Sequence, residues 1–436
     1  MNRTLTFAAL AVASAWARQA VAQDGPKQTT GCSGPLDADA VVRCALAASP
    51  EVRAARAELD AAGGRRATAG VWLPSNPTVA ALVSNRRRSP PESASVLNWS
   101  VVLSQELEIA GQRGARVDAV DAEVAARARR VGVAEQDVAA GALMAYYEAS
   151  AAQETLRFAA ELAQTAQTLA AFAEGRAREA MLAGVEADVA RAEATRIGLV
   201  RFEAERRLAD ARAALAVLLD IDMDAGSLVL PAVLTVPSSP LPAGRSLEDQ
   251  ALRLRGEVAA AEMERQVLER RLALVRRERV PNLTFSAFAE RGEINDRILG
   301  VGLSVPLPLP APVGRTRAGE IAETMAQIRA AESSEELVRR RVRLEVARAQ
   351  AALKARQGAA DLFAGDLLKR ARTDLSSLRE AISSHQLSLR EALQWQRTFI
   401  ELLQADIEVR LGSALAWVEL RRVAGLPLAV SQAGAR

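Results

Sequence analysis

The sequence predicts a mainly helical protein with a small transmembrane β part, built from one unit stated twice. Three observations carry that fold class. Long stretches rich in Ala, Glu, Arg and Gln read as helices far longer than those of globular domains. Four short segments alternate apolar and polar residues with a period of two. The order of helix, β-hairpin and helical hairpin recurs about 200 residues later.

The hairpins show the duplication best. Leu97, Trp99, Val101 and Leu103 alternate with Asn98, Ser100 and Ser104 ahead of Gly111-Gln112-Arg113, and Leu299, Val301, Leu303 and Val305 alternate with Gly300, Gly302 and Ser304 ahead of Gly314-Arg315. Leu103-Ser104 and Leu303-Ser304 stand 200 residues apart, as do Ala214-Leu215-Ala216 and Ala414-Leu415-Ala416.

Residues 1–22 read as a signal peptide. Arg3 precedes an apolar run from Leu5 to Ala15, and Ala20-Val21-Ala22 fits the small-x-small cleavage pattern. That run is too short to span a bilayer as a helix. No other stretch reaches the length of a transmembrane helix, so entry into a membrane requires β-strands in a closed barrel, and the export signal makes that membrane the outer one. Residues 23–36 form a tail. Cys32 and Cys44 are the only cysteines, and an oxidising compartment favours pairing them. The alternative is lipidation of Cys32, which Gly31 suits but Thr29, polar where an apolar residue is expected, does not.

The first repeat covers 37–220. A helical segment runs from Asp37 to Val71, with a break or a new first turn at Pro50, and Trp72-Leu73-Pro74 ends it. Strands are expected at 78–84 and 97–107, each near the length of a tilted transmembrane strand. The loop Asn85-Arg86-Arg87-Arg88-Ser89-Pro90-Pro91 between them is too basic for hydrocarbon and faces solvent or anionic headgroups. Across roughly Gln112 to Arg178, a helix of about 60 residues would reach about 90 Å. A tip near 183–188, around Ala183-Gly184-Val185, returns the chain as a helix from Glu186 to Leu219.

A linker at 221–245 carries Pro231, Pro237, Pro240 and Pro242. The second repeat, 246–428, opens with Ser246 and Asp249 as a capping pair and continues as a helix to Arg279. Strands follow at 282–291 and 297–305, then a helix from Arg317 to Leu378, a tip near 381–388, and a returning helix from Leu387 to Val423 closed by Gly425-Leu426-Pro427. On the long helix, Arg339-Arg340-Arg341 and Arg343 follow Glu335 and Glu336 at spacings that suit i, i+4 pairing on a solvated face. Residues 429–436 are a second tail.

Composition narrows the function. The 56 basic and 53 acidic residues nearly balance, and aromatic residues make up 3%. Basic clusters without interleaved rings argue against nucleic acid. One His, two Cys and six Met cannot build a metal site of the usual ligand clusters within one chain. With neither a nucleophile elbow nor a phosphate-cradling loop, the sequence names no catalytic residue and no cofactor. Four strands also cannot close a barrel, and an open edge is not tolerated in lipid, so several chains must share one.

Four local signatures, in this order within two repeats, resemble the outer membrane efflux family typified by the trimeric TolC channel. They are Ser104-Gln105-Glu106-Leu107-Glu108-Ile109-Ala110-Gly111-Gln112-Arg113, Val280-Pro281-Asn282-Leu283, Gly302-Leu303-Ser304-Val305-Pro306-Leu307, and Leu420 with Gly425-Leu426-Pro427-Leu428. The first looks most like the branch serving heavy-metal cation exporters. The resemblance implies a homotrimer: a 12-strand β-barrel in outer-membrane lipid, continued by a 12-helix periplasmic α-barrel. Its expected partners are a periplasmic adaptor and an inner-membrane pump of RND type, with small toxic solutes or heavy-metal cations as cargo. It places periplasmic gate residues at Glu391 and Gln394, with Asp188 as a further acid in the first repeat, and adaptor contacts at Gly184, Val185, His385 and Leu387 on the tip turns.

Each site residue also has a plainer reading. Acids at 188 and 391 suit helix starts. His385, the single histidine, is an exposed turn residue unless threefold symmetry gathers three imidazoles. Two rival functions share the long helices. A soluble periplasmic coiled-coil scaffold needs no strands with matched apolar faces, whereas the duct of a type I polypeptide secretion system differs only in cargo.

Overall fold

The computed structural model describes residues 34–87, 95–221, 228–231, 233–237, 245–291, 296–309, 312–314, 316–363, 373 and 388–428. The signal peptide, Cys32, His385, Leu387 and most of the second tip lie outside the described residues. Cys44 is disulfide-bonded.

The first repeat begins with α1 (Ala38–Ala48) and α2 (Pro50–Ala69). Ser49 ends one helix and caps the next, its Oγ accepting from the Val52 N–H, and Pro50 takes the first position, where a missing N–H costs nothing. Then come β2 (Thr78–Arg87), β3 (Ser95–Leu107), α3 (Gln112–Arg178) and α4 (Gly184–Leu219). The second repeat gives α5 (Arg245–Leu254), α6 (Gly256–Arg277), β5 (Leu283–Arg291), β6 (Arg297–Ser304), α7 (Ala318–Asp361) and α8 (Leu389–Val423). Among the described residues no helix is long and apolar enough to cross a membrane.

Several expected boundaries move. Strand β2 runs on through Asn85, Arg86 and Arg87, because the ladder continues across Asn85–Leu97, Arg86–Val96 and Arg87–Ser95; the first three residues of the expected loop are strand. The helix expected from 246 to 279 is two helices, broken at Arg255, and α5 already includes Arg245, so Ser246 is not its cap. The segments read as tail and linker pair as a short parallel ribbon, β1 (Gly34–Pro35) with β4 (Leu228–Val229).

The 200-residue offset holds for β3 and β6, where Ser104 pairs with Thr78 and Ser304 with Thr284. It does not hold for the returning helices. These start at Gly184 and Leu389 and end at Leu219 and Val423, an offset of about 205. The two Ala-Leu-Ala triplets are therefore not equivalent positions. A shorter second hairpin and a longer strand-to-helix junction after it account for the change of offset.

Two long helices organise the rest. Helix α3 is 67 residues long, about 100 Å at 1.5 Å per residue. Helix α2 packs on its first half through Arg65–Glu123, Arg127–Glu58 and Arg56–Glu135. Helix α4 packs on its second half through Arg191–Glu174 and Arg212–Gln153. Helices α6 and α8 fill the space between α3 and α7: Arg130 on α3 and Arg339 on α7 reach Glu264 and Glu262 of α6, while Ser413 of α8 donates to the Arg356 carbonyl of α7. The seams are lined by small residues, with Ala139, Ala140, Ala142, Ala149 and Ala151 buried on α3. Small side chains let helix axes approach closely, which replaces the large rings a globular core would use.

Where these helices meet at mid-length, one core gathers Leu143, Tyr146, Tyr147, Leu215, Leu247, Val258, Val346, Trp417 and Val418. Gly425 ends α8 there with φ 69°, and a Cβ on it would sit 2.9 Å from the Leu254 carbonyl carbon and the Arg255 nitrogen. Only glycine meets both demands. The same close approach sits at the kink between α5 and α6.

Candidate functional site

The four main strands form one antiparallel sheet in the order β2-β3-β5-β6, with β2 and β6 as free edges. Register sorts its faces. Val79, Ala81, Val83, Leu97, Trp99, Val101, Leu103, Phe285, Ala287, Ala289, Leu299, Val301 and Leu303 share one face. Leu299 is 83% exposed and Val301 73%. The other face carries Ser84, Asn98, Ser100, Ser104, Ser286 and Glu290. An apolar face this exposed requires a nonaqueous neighbour, and period-2 alternation is what a barrel wall between lipid and water needs. On the polar face Phe288 lies flat over Gly300, where a Cβ would come within 2.3 Å of its ring.

Below the sheet, two signatures far apart in sequence prove to be one hydrogen-bonded cluster. The buried Gln112 amide accepts from the Ala110 N–H and donates to the Val280 carbonyl and to Asn282 Oδ1. Asn282 donates to Glu106 Oε1 at 2.8 Å, Ser75 donates to Glu106 Oε2, and Gln105 donates to the Ser75 carbonyl. The strand-to-helix joint of the first repeat and the helix-to-strand joint of the second are thus locked together at the base of the sheet. Gly111 makes the bend at φ 70°; Arg317 makes the corresponding bend of the second repeat at φ 58°.

Toward the other end, α8 presents Leu393, Gln396, Ile400, Leu403, Ile407, Arg410, Ala414 and Trp417 at alternating three- and four-residue steps, a coiled-coil seam. Its polar members differ. Arg410 bonds both oxygens of Glu154 on α3, Asp406 of its own helix and the Leu234 carbonyl, while Glu154 also accepts from the Leu234 N–H. Burial pushes the Glu154 pKa up, but the hydrogen bonds from Arg410 and Leu234 outweigh it and hold the carboxyl below the ordinary range. Gln396 is fully buried with neither amide atom hydrogen-bonded, a state that costs about 1–3 kcal/mol per group. The adjacent Arg397 reaches across to Glu193 of α4, which Arg196 also holds. With its side chain 4% exposed between two guanidiniums, Glu193 has its pKa lowered to about 2, chiefly by Arg196.

The expected tip and gate residues that the structure describes are exposed. Gly184 opens α4 and Val185 is 73% exposed. Asp188 lies 3.7 Å from Arg191. Glu391 is the third residue of a capping box: it accepts from the Ser388 N–H and Oγ, while its own N–H donates to Ser388 Oγ. Those bonds hold its carboxyl low. Gln394 follows on an exposed surface of the same helix. Sequence reading missed Glu193, Arg397, Glu154 and Arg410; the charged residues at heptad positions of α8 were the available signal.

Comparison with known proteins agrees with this architecture. Over 284 residues, 64% of this chain, the sequence is 31% identical to the cobalt-zinc-cadmium resistance protein CzcC of Cupriavidus metallidurans, and the match spans 64% of that relative's length. The fold matches that of CusC, whose crystal structures concern transmembrane channel formation, with a TM-score of 0.73 at 16% identity, covering 89% of this chain and 92% of that one. It also matches the outer membrane protein VceC of Vibrio cholerae with a TM-score of 0.71 at 16% identity, covering 90% and 96%. Residues 41–219, the first repeat from α1 to the end of α4, match the family model described as outer membrane efflux protein. With its duplicated helices, its sheet and both joint signatures in place, the chain is similar to outer membrane efflux proteins, the family whose model its first repeat matches.

Proposed function

We propose that this chain is the exit duct of a tripartite efflux system, three copies sharing a 12-strand barrel in the outer membrane and a 12-helix barrel in the periplasm. The observation that carries the reading is a four-stranded sheet with two free edges and one face that is apolar along its middle, with polar residues, Asn85, Gln105, Arg291 and Arg297 among them, only toward its ends. Edges of that kind are not tolerated in lipid, and copies of the same sheet are the simplest way to close them. The duct does no chemistry of its own; an inner-membrane pump of RND type drives transport through a periplasmic adaptor. A groove of about 760 Å³ between α4 and α8, lined by Glu203, Arg207, Gln404 and Glu408, together with the tip at Gly184 and Val185, offers that adaptor a surface. The likeness to CzcC favours heavy-metal cations as cargo over organic solutes.

Light scattering that subtracts the detergent, applied to protein extracted from separated outer membranes, tests the assembly. A trimer is expected; a soluble monomer or dimer in the periplasmic fraction removes the duct and leaves the scaffold.

Glu391 and Gln394, with Asp188 as a second acidic position, are the proposed gate. Three copies of Glu391 around one axis favour cations by their local field. Glu391→Gln is a clean test, because glutamine also serves at the third position of a capping box. The ratio of cation to anion permeability in single-channel recordings should fall, and an unchanged ratio leaves Glu391 as a cap and nothing more.

A further inference from the structure

We propose that the periplasmic rim of the sheet binds an anionic phospholipid, whose phosphate is held by the arginines around the joint between sheet and helices and whose acyl chains lie on the exposed apolar residues beside them. The inference rests on the membrane reading above and goes beyond it by naming a headgroup charge and the residues that recognise it.

The apolar half of the surface continues past the ends of the strands. Trp72 is 79% exposed, Val71 52%, Ile109 54% and Val280 41%. All lie within a few residues of the ladder ends at Thr78, Leu107 and Leu283. They extend the exposed face of the sheet onto the segments that lead into α2, α3 and α6. A tryptophan at such a border matches the preference of its amphipathic ring for the headgroup level.

The cationic half lies at the same joint. Arg113 stacks its guanidinium 4.2 Å from the Trp72 ring centroid and donates to the Gly70 carbonyl. Arg277 donates to the carbonyls of Ala110 and Gly111. Arg276 and Arg279 are exposed on either side of it. Among the described residues no carboxylate pairs with Arg113, Arg276, Arg277 or Arg279, whereas the next arginine, Arg116, is paired with Glu108.

The plain explanation, that arginines complement a helix C-terminus, covers Arg276 and Arg277 in the last turn of α6. It is weaker for Arg279, one residue past the cap Glu278. It fails for Arg113, in the first turn of α3, where a cation opposes the helix dipole and no acidic residue offsets it. The nearby Glu278 is turned to Arg317. Four cations with no carboxylate partner among the described residues, one of them against the local field, complement an amphiphile with a negative head beside the exposed apolar side chains. Each arginine near an anionic surface contributes about a fivefold preference.

The test uses the full-length trimer in nanodiscs of equimolar phosphatidylglycerol and phosphatidylcholine, extracted gently and weighed by native mass spectrometry. The wild type should retain phosphatidylglycerol in excess. Arg276→Gln with Arg279→Gln, which touches no hydrogen bond of the joint, should lose that excess by fivefold or more, and the two lysine replacements should keep it. Equal headgroup ratios for the wild type and the glutamine variant would overturn the site. Failure of the wild type to enter nanodiscs at all would instead remove the membrane reading on which it rests.

Discussion

Val101→Arg should keep the protein out of the outer membrane, while Ser100→Arg, one residue away, should not. Val101 lies at the centre of the apolar face, in a row with Ala81, Ala289 and Leu299. An arginine at the bilayer midplane of a barrel costs about 2–4 kcal/mol per chain, three times over in a trimer. Ser100 faces the other way, directly across from Glu290, where a cation gains a cross-strand partner. Membrane flotation and the yield of extractable trimer read the difference. Equal behaviour of the two variants would mean that neither face meets lipid, and the scaffold would then be the better account.

Arg410→Ala should cost about 3–5 kcal/mol of stability, the usual result of leaving a buried carboxylate without its partner. The substitution strands Glu154 and Asp406, whose side chains are 2% and 8% exposed, and releases the Leu234 carbonyl. The double variant with Glu154→Ala should recover part of the loss, since the two residues act as one unit. The pH dependence has a definite sign. In the wild type the Glu154 and Glu193 pKa values lie below those of the unfolded chain, so their contribution is complete above the ordinary carboxylate range and is lost as pH falls, for Glu193 toward about 2. In the variant, burial without Arg410 raises the Glu154 pKa, so the deficit should shrink as pH falls through that same range. Thermal unfolding across pH 3–8 would show it, and a deficit independent of pH would mean that packing, not charge, is what Arg410 supplies.

What could be read in the sequence were the features with a strong local period. The alternation in β3 and β6 and the uninterrupted helix from Gln112 to Arg178 need no tertiary information, because every residue repeats the same message. The break at Arg255 was hidden, since the chain marks it with no proline; what fixes it is the close passage of Gly425, 170 residues away. The joint cluster was visible as two motifs but not as one object, because nothing local states that Gln112 will meet Asn282. The ties between Glu193 and Arg397 and between Glu154 and Arg410 were invisible for the same reason. In a chain with this many arginines and acids, composition does not say which pairs become buried.

The unequal lengths of the helices bear on how the wall responds to load. Helix α3 runs unbroken past the mid-length core, as a single stave, while α2 and α4 that flank it are separate pieces meeting its two halves. The stiffness of such a wall is uneven: a push at the tip travels up the continuous stave, whereas the divided ones can hinge at the waist. Curvature is therefore cheapest at the waist, where the largest apolar core and the Arg410 ties sit. In the proposed duct, bending there would leave the seams above and below it closed, as a jointed hose bends at its collar and stays watertight.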